Sequence, residues 1–325
     1  MPLIDVRLQT KWLPSPDYMR AQTDINEKMR AILIDWLVDV HLKFKLLPET
    51  MYLTVNIIDR FLSVKQVARK KLQLVGATAM LIASKHEENS SEARKDFVRE
   101  GLRAKDFVYI TDYSYYQVEI LKTESLMLNT LGSNNLTVPS ALQFLTRFIK
   151  AADLKEDVKF EMLSSYTTEL MLQEYFMMKY LPSMVAASAV FLSLKILGRG
   201  GWTATLHRHT HYSEGQLKNC TADLFGLLKS AWGKPLSRPA ADNLGCTGLQ
   251  AVKQKYANVK YGEVSKITIE GIYAVAAADS APPRSLCAAP VTVPLTSAAV
   301  LAALAALRDK AGDGLKIVSA SDESV

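Results

Sequence analysis

Met29-Arg30-Ala31-Ile32-Leu33-Ile34-Asp35-Trp36-Leu37-Val38-Asp39-Val40 is the run of sequence from which the fold can be read. Met29, Ile32, Leu33, Trp36, Leu37 and Val40 recur at steps of three and one, which gathers them on one face of a 3.6-residue helix. The spacing predicts a helix over 28–45, and Asp24-Ile25-Asn26-Glu27 ahead of it has the form of a capping box. Downstream, Pro48 and Glu49 open a second helix to about Ser63, with Tyr52, Val55, Ile58, Phe61 and Leu62 as its apolar stripe. A third, over 71–87, differs in kind. Leu72, Leu74, Val75, Ala77, Ala79, Met80, Leu81, Ile82 and Ala83 leave almost no polar face. A short helix that is apolar all round is covered by neighbours on several sides, and this one is too short to span a bilayer.

Further along, 89–104 is polar and irregular. Ser114-Tyr115-Tyr116-Gln117 again has a capping-box form and opens a helix to Leu131, before the breaker cluster Gly132-Ser133-Asn134-Asn135. Pro139 is placed to start the next helix. The segment Val75-Gly76-Ala77-Thr78-Ala79-Met80-Leu81-Ile82-Ala83-Ser84-Lys85 aligns without gaps on Val185-Ala186-Ala187-Ser188-Ala189-Val190-Phe191-Leu192-Ser193-Leu194-Lys195. Small residues oppose small ones and bulky ones oppose bulky ones, as close-packed buried helices require. An internal repeat of this kind implies two helical domains of about 110 residues, joined near 132–138. From about 267 the composition turns to Ala, Pro, Val and Ser. Pro282-Pro283, Pro290 and Pro294 forbid a continuous helix, and 267–325 reads as a weakly ordered tail in which 297–310 has the composition of one short helix.

The 325 residues, 49% hydrophobic and 22% charged, suffice for such a pair of cores. The net charge of +6 is scattered rather than gathered in one run, which suits an acidic protein surface and does not call for nucleic acid. Cys220, Cys246 and Cys287 are far apart and form no CxxC pair, so neither a disulfide framework nor a zinc knuckle is expected, and a reducing intracellular setting is. No signal peptide and no apolar run long enough to cross a membrane is read. His207, His209 and His211 alternate as metal ligands on a strand would, but no Cys or carboxylate cluster accompanies them, and no metal or cofactor is expected. No P-loop, GxGxxG, GxSxG or HExxH motif supports an enzyme.

A resemblance sharpens this. Met29 to Val38, Pro48-Glu49-Thr50-Met51-Tyr52, Ile58-Asp59-Arg60-Phe61-Leu62, Lys71-Leu72-Gln73-Leu74-Val75-Gly76 and Ser84-Lys85-His86-Glu87-Glu88 follow one another at the spacing of the cyclin box, and Ile25-Asn26-Glu27-Lys28 with Asp39-Val40-His41 is similar to plant and algal B-type (G2/mitotic-specific) cyclins. A fainter second box is legible in Tyr180-Leu181-Pro182, Leu194-Lys195-Ile196-Leu197, Trp202-Thr203-Ala204-Thr205-Leu206, Tyr212-Ser213-Glu214 and Lys253-Gln254-Lys255-Tyr256. The resemblance covers 18–88 and, more faintly, 105–266.

It implies an all-α protein with two tandem five-helix cyclin-box domains and a poorly ordered C-terminal tail: an N-terminal segment 1–23, boxes at 24–132 and 133–266, and the tail 267–325. It implies no catalysis, but a regulatory subunit that binds and activates a cyclin-dependent Ser/Thr kinase and recruits substrates at the G2/M transition, in nucleus and cytoplasm. Lys85 and Glu124 match the family's charged pair at the kinase contact, with His86, Glu87 and Glu88 beside them. Met29, Ile32, Leu33 and Trp36, with Leu72 and Gln73 as far wall and Asp39 as acidic rim, match the cleft for Arg-x-Leu-type motifs of substrates or inhibitors. Arg30 and Asp59 match an ion pair tying the first helix to the second.

Three departures qualify the match. Asn89-Ser90-Ser91-Glu92 replaces the family's Ile-Tyr-Pro-Pro-like turn, and Lys95-Asp96-Phe97-Val98 recurs as Lys105-Asp106-Phe107-Val108. His86 stands where an aromatic residue is usual. No long N-terminal arm with a destruction motif is read; Arg7-Leu8 begins nothing longer. The first departure raises an alternative, a degenerate scaffold that docks peptides without activating a kinase. A cyclin-fold transcription factor would need a zinc ribbon or a basic groove, and the cysteines deny the ribbon.

Overall fold

The structure is a computed structural model and describes residues 8–88, 102–132, 135–233 and 249–267. Asn89 to Glu92, the first Lys-Asp-Phe-Val phrase, Cys246, Cys287 and the tail from 268 lie outside the described residues. Among the described residues there are helices and no strands. After a short α1 (Leu8–Lys11), the first bundle comprises α2 (Glu27–Phe44), α3 (Pro48–Val64), α4 (Leu72–Glu87), α5 (Ala104–Ile110) and α6 (Gln117–Leu131). The second comprises α7 (Ala141–Ala151), α8 (Val158–Leu170), α9 (Pro182–Leu197), α10 (Ala204–Thr210) and α11 (Glu214–Gly233), and α12 (Ala251–Tyr256) follows.

The repeated segments are the central helices. α4 packs against α2, α3, α5 and α6, and α9 against α7, α8 and α11. Each has 16 residues. Every residue from Val75 to Ser84 and from Val185 to Leu194 is buried, and the chain emerges at Lys85 and Lys195. Size rather than polarity governs these positions: Thr78 buries a hydroxyl that has no hydrogen-bond partner among the described residues, and its counterpart Ser188 is buried beside Cys220. Close approach is tightest at Gly76, where an added Cβ would lie 2.7 Å from Leu33 Cδ1 on α2. Leaving that side chain out lets α2 and α4 meet, and each large apolar side chain so buried is worth roughly 1.5–3 kcal/mol.

Helix ends differ from the sequence expectation. α2 is capped by Asn26, whose side chain accepts from the Met29 amide; Asp24 instead accepts from the Arg69 amide. The N-cap of α6 is Tyr116 and not Ser114, with Glu119 accepting from the Tyr116 amide at 3.0 Å. α7 starts after Ser140, whose hydroxyl accepts from the Gln143 amide, so Pro139 precedes the cap rather than opening the helix. Asn26 and Ser140 cap with their own side chains, whereas at Tyr116 it is Glu119 that reaches back to the free amide. α5 is an addition: seven residues carry too little periodicity to announce a helix, yet Phe107 on it is wholly buried against Phe44. His207 and His209 lie on α10 and His211 caps it with φ 62°, not on a strand or loop. Alternate residues on a helix diverge, so the three do not share a side; His207 Nδ1 is instead 3.0 Å from the Tyr212 carbonyl.

Polar side chains join the two bundles. Asp35, 6% exposed on α2, accepts at Oδ1 from Gln173 Nε2 and from the Ala251 amide, both at 2.9 Å. The Gln9 side chain accepts from the Ser183 amide at 3.1 Å, and the Met19 amide donates to the Tyr175 hydroxyl at 2.9 Å. Inside the second bundle, Glu169 on α8 is held by Lys255 at 2.7 and 2.8 Å and by the Tyr256 hydroxyl at 2.9 Å, all buried.

Candidate functional site

α4 is the element that positions the site. Its apolar body is locked in the bundle, so its last turn is rigid where it surfaces at Lys85. α6 runs beside it and supplies Glu124. Lys85 Nζ donates to Glu124 Oε1 at 2.6 Å; the lysine side chain is half exposed and the glutamate only 12% exposed. The carboxylate is thus the anchored partner, and the ammonium the more exposed one. A pair whose lysine stands half in solvent contributes about 1 kcal/mol to folding, so its placement serves stability little. The repeat offers a comparison. Lys195 of α9 pairs with Glu214 of α11 at 3.9 Å, with both side chains half exposed. Only the first bundle holds the pair tightly.

The residues after Lys85 play unequal parts. His86 is exposed, with Nε2 3.3 Å from the Thr137 hydroxyl. Glu87 is half-buried; burial raises its carboxyl pKa above the ordinary value, with His86 opposing and Glu49 and Glu88 reinforcing the shift. Glu88 is turned inward: Oε1 accepts from the Leu47 amide at 2.8 Å and the Thr50 hydroxyl at 2.6 Å, which caps the first turn of α3. Its role in the structure is to fix the end of α4 against α3.

The second set of residues lies on α2 and the start of α4. Ile32 is 43% exposed, Met29 and Trp36 are half-buried, and Leu33 and Leu72 are buried at 6% and 5%. Leu33 and Leu72 are thus buried, while Met29, Ile32 and Trp36 reach the surface of α2. Leu37 and Val40, which share their periodicity, are core residues. Gln73 and Asp39 are half-buried at the edges.

Arg30 and Asp59 form a bidentate pair, both bonds 2.7 Å, with side chains 2% and 5% exposed. Burial opposes the Arg30 charge, and Asp59 beside it more than restores it, leaving the guanidinium pKa above its ordinary value. Tyr18 adds a 2.8 Å bond to Asp59. Arg30 also donates to the carbonyls of Leu172 at 3.1 Å and Gln173 at 3.3 Å, so it joins the two bundles as well as two helices. That reach, and the bridging role of Asp35, went unread in the sequence. The available signal was a charge inside an otherwise apolar helix, which is tolerated only with buried partners.

Comparison with known proteins follows the same outline. The profile of the cyclin N-terminal domain matches residues 5–137, and that of the cyclin C-terminal domain matches 139–270. The chain is 42% identical to G2/mitotic-specific cyclin-2 of Medicago sativa over 253 residues, covering 78% of this chain and 69% of that one. It is 44% identical to Cyclin-B2-1 of Oryza sativa subsp. japonica over 252 residues, covering 77% and 54%, and 43% identical to Cyclin-B2-2 of Arabidopsis thaliana over 250 residues, covering 77% and 52%. The chain thus spans about half the length of the B2-type relatives. A viral cyclin from herpesvirus saimiri superposes with a TM-score of 0.58 at 20% identity, over 68% of this chain and 94% of that one, a likeness of fold. Two helical bundles built on a repeated central helix, both domain profiles and sustained identity across them show that the chain belongs to the cyclin family, beside the G2/mitotic-specific and B2-type members of plants.

Proposed function

We propose that this chain is a non-catalytic regulatory subunit that binds and activates a cyclin-dependent Ser/Thr kinase in control of the G2/M transition. The observation that carries the reading is the Lys85–Glu124 pair, held at 2.6 Å at the end of a buried helix. A cation fixed in this way can donate to the carbonyls of a partner helix. A subunit that binds one kinase arrangement better than the other shifts the population toward it, and needs no chemistry of its own. The surface residues Met29, Ile32 and Trp36, with buried Leu33 and Leu72 and with Asp39 on the same helix, suit an Arg-x-Leu-type motif of a substrate or inhibitor: the leucine enters the apolar surface and the arginine meets the acid. The work is done in nucleus and cytoplasm.

The test is phosphorylation of a histone-type substrate by a mitotic cyclin-dependent kinase with the full chain added. Stimulation is expected, and Lys85→Ala or Glu124→Ala abolishes most of it while the thermal unfolding midpoint stays within a few degrees. One feature favours a second reading, a docking scaffold: the family's turn after Glu88 is replaced by Asn89-Ser90-Ser91-Glu92. Kinase binding without stimulation by the unmodified chain would decide for it.

A further inference from the structure

We propose that the cleft between the two bundles is a binding site for a small organic cation with an apolar body. The cleft has a volume of about 110 Å³, several times the ~10–15 Å³ that admits one water. Leu13, Met171 and Met178 supply apolar wall from three separate segments, and Tyr52, Glu49 and Glu87 supply the polar groups. Methionine walls adapt to ligand shape.

The polar groups are those a cation would satisfy. Tyr52 is 6% exposed, and its hydroxyl has no hydrogen-bond partner among the described residues. It is not one of the fully buried atoms left without a partner, so it is open to the cleft and can bond to an occupant. Glu49 and Glu87 face the same space and neither has an ion-pair partner among the described residues. Burial raises the carboxyl pKa of Glu87 above its ordinary value, the charges of Glu49 and Glu88 add to that, and His86 opposes it. Arg30 and Asp59 also line the cleft, and they satisfy one another in a buried pair. A divalent metal is a poor occupant, because hard cations take six or more oxygen ligands and no group of three or more metal-ligating side chains occurs among the described residues. An ammonium on an aromatic or aliphatic body meets each demand: the carboxylates take the charge, Tyr52 accepts from the N–H, and the body lies among the methionines.

Phenethylamine is the probe, titrated calorimetrically into the full chain with no kinase present, so the outcome does not depend on the regulatory role. Saturable one-to-one binding is expected. The double variant Glu49→Gln, Glu87→Gln is expected to weaken it by about tenfold or more, the equivalent of one charge-assisted hydrogen bond, and Tyr52→Phe by severalfold. Neutral 2-phenylethanol binds correspondingly less. Far-ultraviolet circular dichroism melts establish that the variants are folded. Absence of saturable binding, equal affinity for the amine and the alcohol, or undiminished binding by the folded double variant would overturn the assignment.

Discussion

Arg30 is 1% exposed and makes bonds to Asp59 and to two carbonyls of the second bundle. Removing one member of a buried pair strands the other charge without water, so Arg30→Ala is expected to lower stability by about 3–5 kcal/mol in urea unfolding. Lys85→Ala, by the same measure, changes it by less than ~1 kcal/mol. His41 is the residue to which pH speaks. It is 3% exposed, its Nε2 lies 2.8 Å from the Leu47 carbonyl, and its Nδ1 has no partner among the described residues. Burial lowers its pKa below the ordinary 6.5, with the Leu47 bond opposing in part. Between the folded and unfolded values the unfolded chain binds more protons, so stability is full above about 6.5 and is lost as pH falls toward the folded value. The unfolding midpoint should drop between about pH 7 and about pH 5, and His41→Gln should flatten that drop. An unchanged slope in the variant would assign the loss to other groups.

At the scale of helices, α4 bears on both surfaces: its last turn presents Lys85, and its Gly76 packs against Leu33 of α2, the helix that carries Met29, Ile32 and Trp36. Gly76→Ala places a methyl within 2.7 Å of Leu33 Cδ1 and 3.1 Å of its Cγ. Overpacking of this kind costs typically ~1–3 kcal/mol. The variant should unfold at lower urea and bind an Arg-x-Leu peptide less well in fluorescence polarisation, with kinase stimulation retained. A stabilised protein, as the better helix propensity of alanine alone would give, would show that α2 moves aside freely. α2, α3, α4 and α6 were legible because long apolar periods survive any capping choice. Their first residues were not, since Asp24 and Asn26 differ only in which free amide each reaches, and α6 begins where Glu119 can reach back to the Tyr116 amide.

For the molecule as a whole, Asp35 is the test of how the bundles are coupled. It accepts from Gln173 and Ala251, both beyond the first bundle. Asp35→Ala leaves a buried amide and a buried carboxamide unpaired, with a cost of several kcal/mol on the scale of ~1.5–3 per charged hydrogen bond. Because the loss falls on the junction, urea unfolding should broaden or divide into two phases, whereas the unmodified chain unfolds in one. A single sharp transition in the variant would show that apolar contact alone joins the bundles.

What the sequence by itself determined was the all-helical class, the duplicated central helix and the family, because these rest on periodicity, residue size and spacing along the chain, all of which are local. It also paired Lys85 with Glu124 and Arg30 with Asp59 through resemblance. Only the tertiary structure decided which apolar residues of α2 are surface and which are buried, that Glu88 turns inward to cap α3, and that Arg30 and Asp35 reach the second bundle. It alone brought Glu49, Tyr52 and Glu87 to one cleft. Those facts depend on which residues far apart in sequence become neighbours once the bundles close, and burial and hydrogen-bond partnership belong to that closure rather than to any stretch of chain.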